Sequence, residues 1–127
     1  MGTVAWIAIG GALGAVTRYG LGGWVQRASG LAFPWGTLTV NVIGSLAIGF
    51  LVVWLQASQA STELRAFAIV GLLGGFTTFS AFSYETVALA QSGQWARAAV
   101  YAVGSVVIGV LAVLGGMAAA QAALRGG

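Results

Sequence analysis

Apolar residues along this chain come in four long runs, Val4–Trp24, Trp35–Gln56, Leu64–Ala90 and Arg97–Leu124, with charged and turn-forming residues mainly at their ends. A helix rises about 1.5 Å per residue, so each run can cross a hydrocarbon layer of ~30 Å. Short polar joints separate them: Ser29-Gly30 with Pro34, then Gln56–Thr62 (QASQAST), then Gln91–Gln94 (QSGQ). Joints of this length turn one helix back against the next. The pattern predicts an all-α integral membrane protein, a single four-helix transmembrane domain over residues 1–127. No basic stretch precedes the first run and the later runs need the membrane themselves, so the first reads as a retained helix.

Composition agrees and narrows the chemistry. Hydrophobic residues make up 59% and charged residues 6%, and the mean hydropathy is +0.97, a balance that places the chain in a bilayer. The net charge of +3 comes from scattered arginines without lysine or a basic run, so no nucleic-acid partner is expected. There is no cysteine and no histidine, and Glu63 and Glu85 are the only carboxylates. Thiolate metal sites, disulfides and a histidine base are thereby excluded, and an enzyme is not expected. Glycine is abundant, 21 residues, much of it inside the runs. The pairs Gly10/Gly14 and Gly71/Gly75 have the four-residue spacing that lets helix backbones approach closely in lipid. The five tryptophans fall near predicted helix ends, where an indole anchors at the headgroup level.

The third run contains the most unusual stretch, Gly74–Ser83, GGFTTFSAFS. No charge interrupts Ala66–Tyr84, yet paired glycines followed by Thr77 and Thr78 weaken a helix there. Open backbone at membrane depth is tolerated where protein buries it or where it lines a wet cavity, so a break in the third helix marks a candidate conduction or binding site. Residues three apart share a face, which puts Phe79, Phe82 and Glu85 in one stripe with the hydroxyls of Thr78, Ser80 and Ser83 around it. A phenyl ring has a positive edge that can face an anion. The two rings either do this or simply pack on lipid and a neighbouring helix.

Two further polar residues lie within the runs. Asn41 stands in a charge-free stretch, TLTVNVIGSL, and serves either as glue between helices or as pore lining. Arg18 either snorkels to the interface or holds the mouth of a pathway positive. With alternating helices, Arg18, Arg27 and Arg97 face one side and Arg65 and Arg125 the other. So even a balance suits insertion in both orientations and antiparallel pairing, whereas Arg27 acting alone would fix a single orientation.

The four spans, GGFTTFSAFS, WGTLTVN over Trp35–Asn41, Arg18 and the Tyr101/Ser105 pair together resemble the Fluc (CrcB) family of fluoride channels, over essentially the whole chain. The resemblance implies a dual-topology protein of the prokaryotic plasma membrane, an antiparallel homodimer that passes F⁻ passively out of the cell, with a structural Na⁺ at the two-fold axis. It implies that Phe79 and Phe82 face fluoride, Asn41 donates to it, and Tyr101 and Ser105 add hydroxyls. The carbonyls of Gly74 and Thr77 would hold Na⁺, Glu85 would lie near a vestibule and Arg18 near an aqueous mouth. The chain departs from the family pattern at Gly109, one turn beyond Ser105, where a further hydroxyl is expected. The rival class is a small proton-coupled multidrug exporter, also dual-topology, but this needs a carboxylate in the first helix, where the chain has Arg18.

Overall fold

The computed structural model describes residues 2–30 and 32–127, and all its regular structure is helical. In chain order these are α1 (Thr3–Ser29), α2 (Trp35–Ala57), α3 (Thr62–Arg65), a π-helical stretch (Ala66–Leu73), α4 (Gly74–Phe76), α5 (Ser80–Gln91) and α6 (Trp95–Gly126). The pieces from Thr62 to Gln91 form one interrupted span, so four helices are long and apolar enough to cross a membrane. The chain is a multi-pass membrane protein, as its composition requires.

The ends of the helices follow local chemistry. Gly30 closes α1 in the left-handed region, φ 60°, with its amide bonded to the Gln26 carbonyl, a conformation glycine adopts without a Cβ penalty. Ser61 caps α3, its hydroxyl accepting from the Leu64 amide at 3.1 Å, and Glu63 sits in the first turn, where a negative charge suits the helix dipole. Gln26 ties down the first connection. Its amide donates to the Phe33 carbonyl and its oxygen accepts from the Gly36 amide, each at 3.0 Å.

Short connections turn each span back on the one before, yet the most extensive packing is between alternate spans, which run parallel. One seam joins α1 to the π-helical stretch and α4; the other joins α2 to α6. The glycine pairs read from the sequence do lie in the first seam. A Cβ on Gly10 would strike the Phe67 carbonyl, one on Gly14 the Leu72 carbonyl, and one on Gly75 would come within 2.5 Å of the Gly11 carbonyl. The second seam has its own contacts of this kind, Gly49 against Val113 and Gly116 against Leu46. In lipid, helix association depends on such close packing, because there is no hydrophobic gain from leaving hydrocarbon.

The tryptophans divide. Trp24 and Trp95 are exposed at helix ends, as interfacial anchors would be. Trp6 instead packs edge-on against Phe67 at 6.0 Å and Trp35 lies against Phe33 at 4.8 Å, so these two also serve helix packing.

Candidate functional site

The predicted break in the third span is present, but it falls later than the paired glycines. Gly74 and Gly75 remain helical in α4, and the backbone leaves the helix at Thr77, φ −91°, ψ 160°, resuming at Ser80. At Gly75 glycine propensity is overridden because the residue is needed helical and small against α1, where a Cβ would come within 2.5 Å of the Gly11 carbonyl. The interruption comes where side chains can take over the backbone's hydrogen bonds. Thr77 bonds back to the Leu73 carbonyl through both its amide, 3.0 Å, and its hydroxyl, 2.9 Å. The Thr78 hydroxyl accepts from the Ala81 amide at 3.1 Å and lies 3.4 Å from the Ser80 hydroxyl, capping the start of α5 as threonine does at helix N-termini.

Asn41 completes the arrangement from α2. Its Nδ2 donates to the Thr78 carbonyl at 2.9 Å and its Oδ1 accepts from the Thr78 amide at 2.8 Å, so one amide side chain satisfies both polar groups of a peptide outside any helix. The orientation of the amide is fixed by that pairing, since the reverse would set donor against donor. The asparagine thus joins α2 to the broken span, and it lines a cleft as well. The Arg18 Nε donates to the Gly75 carbonyl at 3.0 Å, which brings a cation of α1 to the broken span. Among the described residues, no group donates to the carbonyls of Gly74 or Thr77.

Two clefts meet around this break. One, about 390 Å³, is lined by Asn41, Ser45, Gly74, Thr77, Thr78, Phe79, Phe82 and Ser105 among others. The Ser105 hydroxyl is buried there and has no hydrogen-bond partner among the described residues, which is costly for a hydroxyl unless something else binds it. The other, about 520 Å³, is lined by Arg18, Gln26, Arg27, Thr37, Thr78 and Glu85. Glu85 is held at its edge by two hydroxyls: Thr37 donates to one oxygen at 2.9 Å and Tyr101 to the other at 3.3 Å. Thr78 lines both clefts.

The two phenyl rings are not equivalent. Phe82 is half-buried, 5.2 Å from the Tyr101 ring and packed on the buried cluster of Leu89, Ala98 and Tyr101. Phe79 is 78% exposed and meets its own chain's Phe82 at 5.7 Å, tilted by 50°. Tyr101, 1% exposed, also receives the Phe33 ring edge-on at 5.4 Å.

Of the residues singled out from the sequence, Asn41, Thr78, Phe79, Phe82 and Ser105 gather at the first cleft with Ser80 beside Thr78, and Arg18 and Glu85 at the second with Tyr101 between, whereas Ser83 lines neither. Thr37 was missed. The signal was its place one helical turn before Asn41, on the same face of α2. Phe33 was missed too, because nothing local marks a connector residue as a partner of Tyr101.

With the geometry in place, comparison with known proteins is decisive. Residues 5–117 match the family model described as CrcB-like protein, Camphor Resistance (CrcB). The chain belongs to the CrcB family. Curated relatives include proteins named fluoride-specific ion channel FluC. One from Thermus thermophilus is 52% identical, covering 83% of either chain. One from Rhizobium meliloti is 48% identical over 96% of this chain and 98% of its own. One from Agrobacterium fabrum is 47% identical over 91% of this chain and 93% of its own. CrcB membership makes this chain a transport protein and not an enzyme, and it leaves the exporter alternative without support.

Proposed function

We propose that this CrcB chain is a fluoride-selective channel that passes F⁻ passively through the membrane and lowers its cytoplasmic concentration. The observation that carries the reading is the first cleft, in which two phenyl rings, an asparagine amide and a buried, unpartnered Ser105 hydroxyl meet at a helix break. Hydroxyl and amide hydrogens and ring edges attract a small anion without a formal charge that would hold it too tightly. An inside-negative membrane potential drives the anion outward, and no coupling carboxylate stands in α1.

The working unit is an antiparallel homodimer of chains inserted in both orientations. The near-even arginine distribution supports this, and so does Phe79, whose exposed ring has a use once a second chain covers it. A structural Na⁺ at the two-fold axis suits the carbonyls of Gly74 and Thr77, which receive no hydrogen bond from the described residues and border a cleft without a carboxylate in its lining, since hard oxygen donors of low total charge fit a monovalent cation. Such an ion would supply a fixed positive charge that holds the two broken helices together.

Liposomes holding only this protein test the function: fluoride leaves them on addition of a proton-permeable shunt, chloride does not, and sodium-free buffer slows the fluoride after long equilibration. Equal fluoride and chloride efflux, or none, would sink the reading. Two or three lysines in the Gln56–Thr62 loop should force one orientation and remove most activity, and co-expression with an oppositely biased variant should restore it.

A further inference from the structure

α2 and α6 run side by side in parallel, and the positions that face one another can be followed along them. Thr37 and Tyr101 share Glu85, Asn41 and Ser105 line one cleft, and Gly49 lies on Val113. Between the second and last of these levels fall Ser45, one turn after Asn41, and Gly109, one turn after Ser105. The facing is direct, since the first carbon of a side chain at 109 would stand 3.6 Å from the Ser45 hydroxyl oxygen. The face that the two helices share therefore has three polar levels, at the first two of which α6 supplies a hydroxyl and at the third of which it supplies none; Asn41 and Ser105 of the second level and Ser45 of the third line the cleft. Ser45 lines the same cleft as Phe82 and Ser105.

We infer that Ser45 is a fluoride-binding residue, its hydroxyl donating to the anion at the third level in place of a donor from α6, with Gly109 leaving the space the ion needs. The inference rests on the channel reading. A hydroxyl on either helix reaches the same space, because a side chain at 109 would make only ordinary contact with Ser45. The donor can therefore be moved across the cleft.

Fluoride efflux from liposomes of the dimer tests it with three variants, each first checked for wild-type elution in detergent. Ser45→Ala should lower efflux about tenfold, the weight of one hydrogen bond to a charged group. Ser45→Ala/Gly109→Ser should recover most of it, and Ser45→Ala/Gly109→Ala should not. Unchanged efflux in Ser45→Ala, no recovery with serine at 109, or equal recovery with alanine would each overturn the inference, the last by showing that volume and not a hydroxyl is at issue. If the wild-type protein passes no fluoride, the channel reading itself fails and the inference with it.

Discussion

The seam between α1 and the third span and the seam between α2 and α6 are both parallel helix pairs brought close by glycine, yet they end differently. Along the first, glycines sit against backbone from Gly10 to Gly75, and a polar side chain that crosses it, Arg18, goes to a backbone carbonyl. Along the second, tight contact is confined to the end near Gly49 and Gly116, and the other end opens into a polar cleft. The first seam holds the broken span in place. The second leaves room beside it. A four-helix protein of this size becomes a conduit by packing one pair throughout and the other only in part.

The largest effect should come from overfilling the closed seam. A side chain on Gly14 meets the Leu72 carbonyl and, at 2.8 Å, the Phe76 amide, and backbone cannot step aside as a side chain can. Gly14→Leu should cost more than the ~1–3 kcal/mol usual for overpacking and leave little protein eluting as a discrete species in detergent. Gly20, with nothing within 4 Å of a Cβ, is the control: Gly20→Ala should not destabilise, since alanine is favoured over glycine inside a helix by about 0.5–1 kcal/mol. A soluble, active Gly14→Leu would show that the first seam is loose too.

The open seam should instead lose function and keep its fold. Phe79→Ile and Phe82→Ile preserve most of the apolar volume, so each should alter stability by less than about 1.5 kcal/mol. Without the positive ring edge, fluoride efflux should drop about tenfold or more. Wild-type flux in both variants would reduce the rings to packing.

A loss of stability, and not of conduction alone, should appear where the seams meet, at the Asn41 clamp on the Thr78 peptide. Asn41→Leu leaves that amide and carbonyl without their partner, at a cost of about 1–3 kcal/mol per unpaired group. Thermal unfolding in detergent should shift down accordingly, with Thr77 and Thr78 becoming more mobile. An unchanged transition would mean that water satisfies the peptide and that Asn41 does not set the geometry of the break.

Four membrane spans, the short joints, the glycine seams and the polar character of the third span were all legible in the residues, because each depends on local quantities: run length, turn chemistry, side-chain size, charge. The gathering of Asn41, Phe82, Glu85 and Tyr101 was expected only by resemblance, since spacing within a helix says nothing of which faces meet. Folding alone decided that the break falls at Thr77 and not at the paired glycines, that Arg18 turns to a carbonyl, that Thr37 shares Glu85, and that alternate helices pack most closely. The physical reason is common to all of these. At membrane depth every backbone polar group needs a partner, and which partner is available depends on the register between helices far apart in the chain.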